Sequence, residues 1–474
     1  MNEYDVVVIG GGASGENVAD RTAQAGLQTA LVEAELVGGA CSYWACMPSK
    51  ALLRSGIALR AAQNVRGARD AVTGTLDVPA VLARRDSFAH HWDDSSQVDW
   101  LDGAGINLIR GHARLTGQKA VEVTAPDGTT SSLIARHAVV ISTGSAALLP
   151  DIPGLKEATP WTSRDATSAQ EVPNSLAIIG GGVVAVEMAT AYASFGTHVT
   201  VLSRHGLLER AEPFAGKAVT ESLQKLGADV RSDVAATAVH RGEHGVVLEL
   251  DDGSTLSADE VLVATGRVPR TGDLGLESIG LDSGDWLSVD DTLRVNGLDW
   301  LYATGDVNHR VLLTHQGKYQ ARAAGDRIAA VASGSIPHDT AWGAHVATAD
   351  HEAVPQVVFS DPEVASAGLT AAAAERAGYD IRVVDYDLGD LAGTSLQADH
   401  YRGSARMIVD EARRVILGVT FVGQDVSELI HAATVAIVGE VPIDRLWHAV
   451  PAYPTMSEVW LRLLEAYGRP GSSD

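Results

Sequence analysis

Four consecutive apolar residues, Val6-Val7-Val8-Ile9, stop at Gly10-Gly11-Gly12-Ala13-Ser14-Gly15, and a helical run then closes on a second apolar stretch, Thr29-Ala30-Leu31-Val32-Glu33. A short unbroken apolar run bounded by glycines reads as a buried strand, and strand, glycine turn, helix, strand is a βαβ unit. The pattern returns over residues 176–203, where Leu176-Ala177-Ile178-Ile179 leads through Gly180-Gly181-Gly182-Val183-Val184-Ala185 to Val199-Thr200-Val201-Leu202. Two nucleotide-binding units of similar plan are therefore expected. Pro150-Asp151-Ile152-Pro153-Gly154 reads as a crossing between domains, and Pro173-Asn174 opens the second unit. The stretch 299–306 predicts a buried strand followed by a turn. From Gln356 onward strand-like and helical segments alternate, with strands expected at 381–386, 404–409 and 415–422, as in a separate α+β domain.

Composition narrows the partners more than the fold. The 474 residues and 46% apolar content suit several cores, with a length prior of about three or four domains. A formal net charge of -24, from 36 basic and 60 acidic residues, disfavours phosphate backbones and anionic lipid headgroups, so neither nucleic acid nor membrane is an expected partner. The chain opens Met1-Asn2-Glu3-Tyr4-Asp5 with no basic n-region, and it holds no apolar run of about 18 residues. The expectation is a cytoplasmic protein.

That expectation gives the cysteines their meaning. The chain has 2, Cys41 and Cys46, both inside Gly38-Gly39-Ala40-Cys41-Ser42-Tyr43-Trp44-Ala45-Cys46-Met47-Pro48-Ser49-Lys50. In a reducing compartment a transient catalytic disulfide is expected, and a structural clip of so small a ring would contribute about 2 kcal/mol at most. In a regular helix residues five apart have Cα atoms roughly 8–9 Å apart, beyond the approximately 7 Å that a disulfide spans, so 41–46 must leave helical geometry if the bond forms. The run from Met47 to Leu53 predicts a helix start, which would lower the pKa of a thiol at Cys46. Free buried thiols or a structural clip are the alternatives. A metal site is a poor one, with no histidine nearby.

In the first fingerprint Gly10 permits the tight turn, Gly12 lets backbone N–H groups approach a pyrophosphate, Gly15 allows close helix packing, and Glu33 can accept hydrogen bonds from a ribose. The second fingerprint ends differently, in Ser203-Arg204-His205-Gly206-Leu207-Leu208-Glu209-Arg210. Arg204, His205 and Arg210 suit a 2′-phosphate, which points to NADPH; a solvated basic loop is the plain alternative.

Taken together these residues resemble the pyridine nucleotide-disulfide oxidoreductases, the flavoprotein family of glutathione reductase, dihydrolipoamide dehydrogenase and mercuric reductase. The resemblance continues through Ser142-Thr143-Gly144, the second fingerprint ending in Glu187, Ala264-Thr265-Gly266-Arg267, Ala303-Thr304-Gly305-Asp306, Phe359-Ser360-Asp361-Pro362-Glu363-Val364-Ala365 and Pro454-Thr455-Met456-Ser457-Glu458. It implies an α/β fold of two Rossmann-like dinucleotide-binding domains plus a C-terminal α+β interface domain. Residues 1–150 and 286–350 would be the two parts of an FAD-binding domain, 151–285 an NADPH-binding domain and 351–474 the dimerisation domain of a homodimer. FAD contacts would come from Gly10, Gly12, Ser14, Gly15, Glu33, Lys50, Ala113 near the adenine, Thr143, Gly144, Gly305 and Asp306 at the ribityl or phosphate region. NADPH contacts would come from Gly180, Gly182, Ala185, Arg204, His205, Arg210 and Gly266. An ion pair between Lys50 and Glu187 would lie beside the flavin, Cys46 would be the thiol nearer the ring, and Cys41 would meet the acceptor.

One motif departs from the family. Where the pattern reads His-Pro-Thr-x-x-Glu, this chain has Tyr453-Pro454-Thr455-Met456-Ser457-Glu458. A phenol with pKa near 10 is ionised about one part in a thousand at neutral pH, and losing a required base would raise the barrier by up to about 4 kcal/mol. Tyrosine here resembles mercuric reductase, yet the tail 467–474 lacks that enzyme's cysteine pair. Glu458 is expected as an orienting carboxylate toward Tyr453 or His448. Tyr43 and Trp44 are expected mainly as core packing, and His90-His91-Trp92 and His315 as ordinary polar contacts. The resulting expectation is electron transfer from NADPH through flavin and Cys41/Cys46 to a small disulfide. Reduction of a metal ion or quinone is the alternative, and a non-catalytic redox-sensing flavoprotein the third reading.

Overall fold

The computed structural model describes residues 2–469; the segment 470–474, part of the cysteine-free tail, lies outside the described residues. The chain divides into two compact units, the first formed by Met1–Pro48, Asp86–Leu148 and Gly266–Asp350, the second by Ser49–Arg85, Leu149–Thr265 and His351–Asp474.

The first unit is built on strand β1 (Asn2–Ile9), helix α1 (Ala13–Gln24) and strand β2 (Thr29–Glu33). β1 pairs in parallel with β2, with Val6 opposite Thr29 and Ile9 opposite Val32. On its other side it pairs in parallel with the strand Thr130–Ile141, and a short strand Leu301–Ala303 extends that side. Among the described residues the sheet has seven strands. The unbroken apolar run of β1 is explained by burial on both faces: Val7 and Ile9 pack with Val139 and Ile141 in one core, while Val6 and Val8 pack with Ala138 and Val140 in another. Each such side chain contributes about 1.5–3 kcal/mol when fully removed from water.

The second unit repeats the plan. Its parallel sheet runs Asp229–Ser232, His198–Ser203, Ser175–Ile179, Glu260–Val263, with the helix Val183–Ser194 after the second glycine turn. The same unit holds an antiparallel sheet of Pro355–Val358, Glu363–Gly368, Val415–Gly423, Ser404–Asp410 and Ile381–Asp387. The three strands expected in this region occur within one residue of their expected limits. The architecture is the α/β class the sequence implies. Among the described residues no helix is long and apolar enough to cross a membrane.

Candidate active site

The first glycine turn is shaped by backbone that leaves no room for side chains. Gly10 has φ +101°, and a Cβ there would lie 2.5 Å from the Ser142 carbonyl oxygen; one on Gly15 would lie 1.8 Å from the Gly10 carbonyl oxygen. Gly12 caps α1 with no side-chain hydrogen bond, so the first-turn N–H groups keep the open donor capacity that suits an anion. Glu33 ends β2 and is already engaged: Gly11 N–H and Glu35 N–H each donate to it at 2.6 Å. Ser14 Oγ donates to Thr304 Oγ1 at 2.9 Å and to the Gly317 carbonyl at 3.0 Å, and Ser142 Oγ lies 2.8 Å from Thr304 Oγ1. Asp306 follows Gly305, whose φ is +78°. Its carboxylate accepts from Ser145 Oγ at 2.5 Å and lies 3.5 Å from Arg267 Nε. Thr143 Oγ1 donates to the Arg270 carbonyl, Gly144 accepts from Arg270 N–H, and Ala113 is buried in the strand His112–Gly117.

The cysteine segment leans on this turn. A Cβ on Gly39 would sit 2.7 Å from Gly12 Cα, so the short helix α2 (Gly39–Tyr43), which carries Cys41, starts in direct contact with that turn. The helix breaks at Trp44, φ −139°, and α3 (Cys46–Gln63) begins at the second cysteine. The departure from helical geometry between the two thiols is therefore real. Tyr43 is fully buried, its hydroxyl donating to the Val37 carbonyl at 3.0 Å, and burial pushes its phenol up to about 12. Cys41 and Cys46 stand as two thiols with no disulfide between them. A hydrogen bond with Cys46, reinforced by burial, pushes the Cys41 thiol well above the usual range; Thr314 and Lys318 pull the other way. Thr314 Oγ1 lies 3.2 Å from Cys46 Sγ.

In the second unit Lys50 Nζ lies 2.8 Å from Glu187 Oε2, Glu187 being 4% exposed. Phe359 N–H also donates to this carboxylate, and the lysine sits 4.9 Å above the Phe359 ring. The second glycine turn matches the first in kind: a Cβ on Gly180, φ +131°, would lie 2.3 Å from the Ala264 carbonyl oxygen, whereas one on Gly182 would meet nothing within 4 Å. Gly182 caps the helix that buries Ala185. Arg204, His205 and Arg210 are all exposed beyond the end of His198–Ser203. Gly266, in the first unit, has φ +147°.

The C-terminal motif differs from expectation in one contact. Tyr453 is 74% exposed, whereas Glu458 is 5% exposed and receives Arg462 at 2.6 Å. Within the chain neither Tyr453 nor His448 bonds to that carboxylate; the i, i+4 arginine has taken the place expected for them. Thr314, Ser145 and Lys318 are not singled out by the sequence reading, and Phe359 stands there only as part of a motif, with no role. Only the placement of Thr314 at a helix start, just before His315, offered any signal.

Residues 4–325 match the family described as pyridine nucleotide-disulphide oxidoreductase, and residues 354–463 match its dimerisation domain. The chain belongs to this family. Members use FAD and a pyridine nucleotide, and the dimerisation domain makes homodimers within the family. This pyridine nucleotide-disulphide oxidoreductase is 32% identical over 461 residues to a mercuric reductase of Acidithiobacillus ferrooxidans, covering 96% of the chain and 81% of the relative. It is 32% identical over 480 residues to a dihydrolipoyl dehydrogenase of Haloferax volcanii, covering 97% and 95%. Among solved structures it resembles a Cu(II) complex of the HOCl-induced flavoprotein disulfide reductase RclA from Escherichia coli, at a TM-score of 0.83 and 25% identity over 98% of this chain and 99% of that one.

Proposed function

We propose that the protein is a cytoplasmic, homodimeric NADPH-dependent flavoprotein that reduces a small disulfide through Cys41 and Cys46. The observation that carries this reading is the dithiol itself, with Cys41 on a helix packed against the first glycine turn and Cys46 opening the next helix beside Thr314. The residues fit FAD: an uncapped helix N-terminus at Gly12, Glu33 at the strand end and the Asp306 carboxylate form a donor and acceptor set for a dinucleotide. Gly10, Ser14, Gly15, Ala113, Thr143, Gly144 and Gly305 complete the proposed cradle. When bound, FAD supplies the two-electron chemistry that links a nicotinamide to a dithiol. For NADPH, Gly180, Gly182 and Ala185 are assigned to the dinucleotide and the exposed Arg204, His205 and Arg210 to its 2′-phosphate.

The chain's own chemistry starts from the reduced pair. Cys41, as thiolate, attacks one sulfur of the acceptor; a Cys41–S–S–R bond forms and one thiolate leaves. Cys46 then attacks Cys41 sulfur, the second acceptor thiol leaves, and the Cys41–Cys46 bond closes. Two thiol protons and two electrons pass to the acceptor.

A second reading sends the electrons to a metal ion or quinone. The exposed Tyr453 at the family's histidine position supports it, as do the likeness to mercuric reductase and to the Cu(II)-bound RclA. Anaerobic NADPH titration followed by an acceptor panel separates the readings. Disulfide turnover that Cys41→Ser abolishes supports the first. Metal or quinone turnover with weak disulfide activity supports the second, and flavin bleaching with no acceptor turnover at all would leave a redox sensor.

A further inference from the structure

The short helix that carries Cys41 begins on the two most pliable residues available to it. Gly38 and Gly39 both lie in the left-handed region, at φ +106° and +59°, and glycine leaves the backbone freer than any other residue does. What fixes this start is the residue before them. The Val37 N–H donates to Asp94 Oδ2 at 2.7 Å, and the Val37 carbonyl accepts from the Tyr43 hydroxyl at 3.0 Å. Val37 is thus gripped from both sides, and one grip comes from α2 itself, two residues past Cys41. Arg110, the last residue of the strand Asn107–Arg110, braces the other: its guanidinium lies 2.5 Å from Asp94 Oδ2 and donates to the Glu35 carbonyl at 2.7 Å. Asp94 directly precedes the helix Ser95–Gly103, where an aspartate ordinarily accepts from the first-turn N–H groups of its own helix, yet it makes no such bond. Its carboxylate serves Val37 and Arg110 instead.

We propose that Tyr43, Asp94 and Arg110 are positioning residues: their clamp on Val37 fixes Cys41 beside Cys46 and so sets the reduction potential of the pair. The inference rests on the two sulfurs bonding to each other in turnover. Closing that bond joins Sγ to Sγ and releases two thiol protons and two electrons, which reduce one disulfide of the oxidant to two thiols. Thiols held within reach of each other act at high effective concentration, and this favours the bond. In the oxidised chain the ring between residues 41 and 46 restrains α2 by itself, so the clamp contributes less there than in the dithiol. Loosening it widens the freedom of the reduced form and makes the bond harder to close.

The test is the dithiol–disulfide equilibrium of the flavin-loaded protein in graded mixtures of reduced and oxidised dithiothreitol or glutathione, quenched in acid, tagged with N-ethylmaleimide in denaturant and read by mass spectrometry. The chain has 2 cysteines, so every thiol counted belongs to the pair. Neither NADPH nor an acceptor takes part, and an error in the assigned acceptor leaves the readout intact. Tyr43→Phe keeps the ring and removes the hydroxyl; it should shift the equilibrium about fivefold toward the dithiol, a potential about 20 mV less negative. Asp94→Ala should shift it about tenfold, or about 30 mV, in the same direction. Asp94→Asn keeps an acceptor oxygen for the Val37 N–H and should return the equilibrium to within about twofold of the wild-type value. Side chains that merely fill space would lower the stability of both redox forms alike and leave the potential where it is. Unchanged potentials in Tyr43→Phe and Asp94→Ala, or shifts toward the disulfide, would overturn the clamp; should Asp94→Ala fail to fold, Tyr43→Phe decides by the same criterion. A wild-type chain that keeps both thiols in fully oxidised buffer would instead overturn the disulfide reading on which the clamp rests.

Discussion

Lys50 Nζ approaches both oxygens of Glu187, at 2.8 and 3.0 Å, while the lysine end keeps 34% of its side chain in solvent and the carboxylate only 5%. The pair is therefore lopsided. Removing the lysine strands a buried negative charge, whereas replacing the carboxylate by an amide leaves a lysine that can reach water and still lets Phe359 N–H find an acceptor. Lys50→Met should cost about 2–3 kcal/mol, and Glu187→Gln about 1 kcal/mol. Urea midpoints at constant slope check the order; an equal or reversed ranking would show that the carboxylate is not held as described.

The exposed arginines predict a cofactor preference. Replacing Arg204 and Arg210 together by alanine should raise the Michaelis constant for NADPH at least tenfold and leave that for NADH within about twofold, since each lost charge-assisted contact is worth about 1.5–3 kcal/mol. Equal effects on the two nucleotides would refute the 2′-phosphate assignment.

Tyr453→His should accelerate reduction of small disulfides, by at least tenfold and at most by the roughly thousandfold that about 4 kcal/mol represents. Steady-state rates with several disulfides test it. No gain with any of them would remove the argument that a base is missing at this position.

Glu16 also predicts a stability effect. Its carboxyl is held near 7 in the folded chain, above its ordinary value of 4.5, so folding favours the protonated form. At pH 4 both states carry the proton and there is no penalty. Between about pH 4.5 and 7 the unfolded chain releases this proton while the folded protein keeps it, so up to about 3 kcal/mol of stability is lost by the time the buried acid ionises near pH 7. Glu16→Gln should therefore match the wild-type protein near pH 4 and exceed it above pH 7 in urea unfolding. A constant difference across that range would contradict the burial argument.

Much of this was readable along the chain because it is local. The run Val6 to Ile9 announces a strand covered on both sides, and its alternate residues do enter two cores. The five-residue spacing of Cys41 and Cys46 calls for a departure from helical geometry if the two are to bond, and the helix breaks at Trp44. What could not be read is set by long-range packing. Thr314 stands 268 positions from Cys46, and no period or turn signal links them. Glu458 is expected by motif to orient Tyr453 or His448, but an arginine four residues on takes one of its oxygens, and the other has no hydrogen-bond partner among the described residues. A helical neighbour at that spacing costs little chain entropy to recruit.

The seam where Gly39 presses on Gly12 joins two tasks in one mechanical part. A bulkier residue at Gly39 would pry the thiol segment from the proposed phosphate cradle, and the expected outcome is a spilled chromophore and a misaimed sulfur together. A colony screen for lost yellow colour should thus also harvest, at Gly39, the variants whose thiols have fallen silent.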